Sequence, residues 1–103
     1  MKQKSCITLA ALTTTAALLL PGTTLATDYR PAMLANPCAG CHGPDGDSPG
    51  AIPSLKGLSA DEIASSMKAY KADRRKGTVM NRIAKGYTDE EIDLMASYFA
   101  RKP

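Results

Sequence analysis

Cys38-Ala39-Gly40-Cys41-His42 is the run in this sequence whose residue types and spacing best suit chemistry. Two thiols three positions apart face one way on a helical turn, and a histidine follows directly. Thiols so spaced can take up both vinyl groups of one haem, and the adjacent imidazole can then reach the iron from the same side. Ala39 and Gly40 are small, which lets a flat macrocycle approach the backbone. His42 is the only histidine of the chain, hence the only imidazole available as proximal ligand. Three other chemistries compete. A thioredoxin-type redox pair needs a βαβ surround, for which no strand pattern is present. A structural zinc ion needs four ligands, and two Cys with one His fall short. A plain disulfide leaves His42 without a role.

A sixth iron ligand would have to be a thioether, a soft ligand that raises the potential and suits an electron carrier. Met67 and Met95 recur on apolar helical stripes, where methionine usually fills a core. Met33 precedes the cysteines too closely to wrap round to the far face. Met80, in Gly77-Thr78-Val79-Met80-Asn81, lies 38 positions beyond His42, enough chain to cross a haem edge. Met80 is the favoured distal ligand, with Met67 or an open distal face as the alternatives. A ligating histidine commonly donates its other ring N–H to a carbonyl. Pro53 could present that carbonyl, or could merely stiffen its loop. Arg82 could neutralise a haem propionate.

These side chains must be positioned by elements that the sequence also marks. Residues 28–42 predict a short helix, a break at Asn36-Pro37, and a second helical turn bearing the cysteines. Residues 43–58 are rich in Gly and Pro and read as a loop with turn chemistry. Residues 59–75 read as a helix. Ser59 with Glu62 forms a capping box, Ile63, Met67 and Tyr70 share one face, and Gly77 follows a basic end. Residues 88–100 repeat the design, with Thr88 and Glu91 as the box and Ile92, Met95, Ala96 and Phe99 as the apolar face. No segment alternates with a period of two, so the fold class is all-α.

Composition sets the scale. The chain has 103 residues, with four Tyr, one Phe and no Trp. Residues 1–26 read as a cleaved secretory signal peptide: Lys2 and Lys4, an uncharged run from Ile7 to Leu20, a Pro21-Gly22 break and a small Ala26. The run is too short for an ordinary membrane span of ~20 apolar residues, so no stable span is expected. Cys6 should leave with the leader. Residues 27–103, 77 in all, then form a monohaem domain in the periplasm. At this size a hydrophobic core alone supplies only ~3–5 kcal/mol. A covalently held apolar disc answers both the missing aromatics and the missing stability. Losing Lys2 and Lys4 lowers the formal charge from +3 to +1, so basicity is no argument for nucleic acid. Neither a glycine-rich phosphate loop nor an aromatic ladder is present. The cluster Lys68, Lys71, Arg74, Arg75 and Lys76, with Arg82 and Lys85 nearby, is either a solvated helix face or a positive rim that steers an acidic partner.

The haem motif, the Gly/Pro loop after it, and a methionine ahead of a capped last helix resemble a small class I cytochrome c. That resemblance covers essentially all of residues 28–103 and implies three to five short helices wrapped around one covalent haem c. More narrowly, Cys38–Gly43, Gly46-Asp47-Ser48, Pro53-Ser54 and especially Met80-Asn81-Arg82-Ile83-Ala84-Lys85-Gly86-Tyr87 resemble the haem subunit of flavocytochrome c sulfide dehydrogenase. Many such subunits carry two haem domains, whereas this chain has one motif. The resemblance implies an electron-transfer subunit, without catalysis of its own, that forms a heterodimer with an FAD-containing flavoprotein oxidising sulfide. It would pass single electrons to a downstream acceptor. A free-standing cytochrome feeding an oxidase or reductase is the alternative, and a haem enzyme with an open distal side is a third possibility.

Overall fold

The computed structural model describes residues 28–102; the leader expected over residues 1–26, with Cys6, lies outside them. The described residues form five α-helical segments and two 3-10 turns, with no strand among them. The helices are α1 (Arg30–Ala35), α2 (Ala39–His42), α3 (Ala60–Lys71), α4 (Met80–Ala84) and α5 (Asp89–Ala100). The all-α expectation is met. Helix α5 packs against both α1 and α3, and α3 also carries α4.

Both long helices start where their caps require. The Ser59 hydroxyl accepts from the Glu62 N–H at 3.2 Å while the Glu62 carboxylate accepts from the Ser59 N–H at 2.8 Å. The Ser59 N–H and the Ser59 hydroxyl, both donating to it, hold the Glu62 carboxyl below its ordinary range. Thr88 and Glu91 repeat the arrangement at α5. Each cap satisfies backbone donors that the first helical turn leaves free.

Three local features depart from the sequence reading. Pro37 does not break the chain direction. Asn36–Cys38 form a 3-10 turn whose neighbours keep right-handed helical dihedrals, so α1 runs almost directly into α2. A proline near the start of a 3-10 turn loses only a donor that is dispensable there. The second departure is the end of α3, which comes at Lys71 rather than near residue 75. Asp73 adopts a left-handed conformation (φ 54°). The Arg74 N–H bonds the Ala69 carbonyl at 2.9 Å, and the Asp73 N–H bonds the Tyr70 carbonyl at 3.1 Å. This is a Schellman stop, with aspartate standing where glycine is usual. Gly77 is therefore not the terminator. Third, Met80 opens a short helix that the sequence reading did not mark; the fully buried Ala84 seats that helix on the core.

The core is small. Ala35, Ile63, Met67, Ala84, Ile92, Met95, Ala96 and Phe99 are buried, and three of these eight are alanines. They let helices approach closely but bury little apolar area. Tyr70 is only half-buried, at the edge of the cavity described next. Lys68–Asp93 (2.6 Å) and Lys71–Asp89 (2.8 Å) link α3 to α5 across the surface. Exposed pairs of this kind add little stability but fix relative placement.

Candidate functional site

Four of the buried residues, Ile63, Met67, Met95 and Phe99, line one side of a cavity of about 750 Å³, within the ~300–1,000 Å³ range of sites that enclose a medium-sized organic ligand. Cys38, Cys41 and His42 reach it from the 3-10 turn and α2. The loop supplies Ile52, Pro53, Leu55 and Leu58, α3 supplies Ile63, Met67 and Tyr70, and Met80 and Ile83 come from α4. Tyr87, Met95 and Phe99 complete it. Helices α2 and α4, 38 positions apart at His42 and Met80, both line this one space. Of the six residues singled out from the sequence, five line the cavity. Arg82 does not: it is exposed and forms no ion pair among the described residues.

The loop after α2 explains how Pro53 arrives. Gly43 (φ 82°) turns the chain directly after His42. A β-carbon there would run into the Asp47 carbonyl. Gly43→Ala should therefore lower stability by about 2 kcal/mol or more, read as a lower midpoint of thermal or denaturant unfolding. Gly46 then anchors the returning strand of loop: its carbonyl accepts from the Leu55 N–H at 2.8 Å and the Ser54 hydroxyl at 2.7 Å. Pro53, immediately before, is brought over the imidazole, and its carbonyl stands 2.6 Å from His42 Nδ1. A carbonyl can only accept, so Nδ1 carries the proton and donates it. The Nε2 lone pair is left free to bind a metal.

Cys38 is half-buried, Cys41 is exposed, and neither is in a disulfide. Burial pushes the Cys38 thiol up, and the neighbouring Cys41 adds to the rise. Cys38 Sγ lies 3.5 Å from Met95 Sδ, so a core methionine of α5 props the first cysteine against the cavity. The combination of two uncrosslinked thiols, a tautomer-fixed imidazole and an apolar chamber fits a haem. Among the described residues, no three His, Cys, Asp or Glu side chains gather as a bare metal ion would require.

Sequence reasoning missed several participants. Arg75 lines the cavity, its guanidinium 4.9 Å from the Tyr70 ring centroid and its Nη1 2.7 Å from Ser66 Oγ. It, rather than Arg82, is the cation at the chamber's edge. Only the path of the chain after the Asp73 turn singles it out from its basic neighbours. Asn81 binds the segment before Met80, and Met95 touches Cys38. The basic cluster is engaged in part: Lys68, Lys71 and Lys85 pair with Asp93, Asp89 and Asp73. Arg74, Lys76 and Arg82 form no ion pair among the described residues.

An all-helical chain that brings a Cys-x-x-Cys-His turn and a methionine to one apolar chamber defines a c-type cytochrome architecture. The cytochrome c family model matches residues 31–101, and the chain belongs to the cytochrome c family. It is 45% identical, over 84% of its length and 78% of the relative's, to the cytochrome subunit of sulfide dehydrogenase of Chlorobaculum tepidum. It is 42% identical to cytochrome c-554(548) of Halomonas halodenitrificans, over 61% of this chain and 81% of that one. Cytochrome c-553 of Desulfomicrobium norvegicum is 37% identical over 62% of this chain and 84% of its own. Family membership implies haem c and an electron-transfer role, and no catalysis is expected from this chain alone. No helix among the described residues is long and apolar enough to cross a membrane.

Proposed function

We propose that residues 27–103 form an exported monohaem domain in which Cys38 and Cys41 hold one haem c by thioether bonds. In this reading His42 Nε2 is the proximal ligand and Met80 the distal one. The supporting observation is the convergence of these four side chains on one apolar chamber, with His42 Nδ1 already committed to the Pro53 carbonyl. Haem supplies reversible one-electron chemistry at its iron. The chain's own residues bind, orient and exclude water. The Pro53 carbonyl fixes the tautomer and plane of the imidazole. Ile63, Met67, Met95 and Phe99 keep the chamber dry, and Arg75 offers a guanidinium to a carboxylate at its edge. The signal-peptide pattern of residues 1–26, with Lys2 and Lys4 ahead of an uncharged run, supports delivery to the periplasm.

The electron donor is an FAD-containing flavoprotein that oxidises sulfide, and this chain is its haem subunit in a heterodimer. The likeness to the sulfide dehydrogenase cytochrome subunit over most of both chains supports this reading. A diffusible carrier is the second reading, favoured by the likeness to cytochromes whose names carry no subunit designation. Purification from the native source separates the two. A flavoprotein in about equal amount, reduced by sulfide and passing electrons to this haem, is the expected result. A lone monomer whose haem is not reduced by sulfide with the flavoprotein fraction would sink the subunit reading.

A further inference from the structure

We propose that Asn81 is the positioning residue for Met80: its side-chain amide ties the segment before that methionine to the residue directly after it and so governs how easily the thioether leaves the iron. The inference rests on Met80 as distal ligand. Asn81 is half-buried, at the second position of α4. Its Oδ1 accepts from the Gly77 N–H at 2.8 Å. Its Nδ2 faces the Arg75 carbonyl at 2.8 Å, and the Tyr70 carbonyl and Asp73 Oδ1 at 3.1 Å each. A backbone N–H only donates, and carbonyls and an ionised carboxylate only accept. All four partners therefore demand the same orientation of the amide.

The consequence is mechanical. The connector between α3 and α4 leaves the helix at the Asp73 turn and must deliver Met80 to the chamber without a regular hydrogen-bond ladder. Asn81 binds it at Arg75 and Gly77, and ties it to the last turn of α3 through Tyr70. Asp73 is itself held by Lys85 Nζ at 2.6 Å, so the Schellman turn and α4 are joined through one amide. Gly77 transmits the restraint. A β-carbon on it would stand 2.9 Å from the Tyr70 ring and 3.3 Å from Met80 Cβ, so Gly77 is wedged between that ring and the methionine. With two N–H groups shared among three acceptor oxygens and one acceptor oxygen for the Gly77 N–H, an amide of this length is the group that answers all four partners. Aspartate has the same shape but would set a carboxylate oxygen against three acceptor oxygens.

Imidazole titration of the ferric, haem-loaded protein tests this, because an added ligand binds only when Met80 is off the iron. Apparent affinity scales with the fraction of molecules in that open state. Asn81→Ala should raise imidazole affinity about tenfold, the effect of losing roughly one to two net hydrogen bonds from the closed state. Asn81→Asp should raise it at least as far. Ser59→Ala, which removes a cap at the far end of α3, should lower overall stability and leave imidazole affinity unchanged. Should Asn81→Ala not load haem, Gly77→Ala carries the same expectation, since its methyl presses on Met80 Cβ. Wild-type imidazole affinity in these variants, alongside strongly tightened binding in Met80→Ala, would overturn the role of Asn81 and leave the ligand assignment standing. An equal rise in Ser59→Ala would reduce the effect to general loosening and also overturn it. Unchanged binding in Met80→Ala itself would remove the distal assignment and this inference with it.

Discussion

A Cys38→Ser, Cys41→Ser chain, made in cells with working haem-attachment machinery, should emerge without covalent haem and with most of its helical signal gone. The reason lies in how little else holds the domain together. Among the described residues the apolar core is eight side chains, three of them alanine, and only Ile63, Met67, Met95 and Phe99 of these face the chamber of about 750 Å³. At this chain length a core of that size supplies only ~3–5 kcal/mol, at or below the low end of the ~5–15 kcal/mol stability of an ordinary domain. A chain without its cofactor must collapse inward, and Ile63, Met67, Met95 and Phe99 cannot fill the space from their helical positions. Mass spectrometry of the denatured protein reads the covalent link, and far-UV circular dichroism reads the fold. A colourless variant with wild-type helicity and a cooperative melt would contradict the view that haem serves as the interior.

Met80→Ala should leave haem attached and the fold largely intact, yet abolish the long-red absorption band that reports iron–thioether bonding in the oxidised protein. Its midpoint potential should fall by on the order of 0.2 V, a part of the ~0.8 V range that axial ligands span, because a thioether favours the reduced iron. Carbon monoxide should then bind the reduced form rapidly. Met67→Ala is the matched comparison, since Met67 also lines the chamber but is buried in the core stripe of α3. That substitution should cost about 2–5 kcal/mol of stability and keep the band. The reverse pattern, band lost with Met67 and retained without Met80, would transfer the ligand role. Unaltered spectra in both variants would leave the distal face open.

Much of this architecture could be read along the chain. The two capping boxes are local chemistry, closed within four residues, and they fall where the sequence puts them. The apolar stripes Ile63–Met67–Tyr70 and Ile92–Met95–Ala96–Phe99 follow from helical period alone; six of the seven residues are buried, and Tyr70 is half-buried because it edges the chamber. The stop of α3 was less legible. Gly77 is the obvious terminator by residue type, but Asp73 takes the left-handed position because its carboxylate is held there by Lys85 and Asn81. That support comes from residues 8 and 12 positions away. Pro37 misleads for the opposite reason: a missing donor costs nothing in a 3-10 turn, so a residue that usually ends helices here joins two.

By itself, the order of residues determined the candidate chemistry: thiols at a three-residue interval with histidine next to them, one methionine beyond a long connector, and two helices capped to lie around them. Those are properties of neighbours, and short-range sterics and hydrogen bonding are enough to define them. Which arginine stands at the chamber, which lysines are engaged by carboxylates of another helix, and which side chain restrains Met80 were decided only by the packed chain. Arg75 and Arg82 are alike in type and near in number. A left-handed turn at Asp73 sends one to the cavity, and helix α4 turns the other to solvent. Tertiary structure makes that choice because charge and residue type carry no direction until the backbone has taken its path.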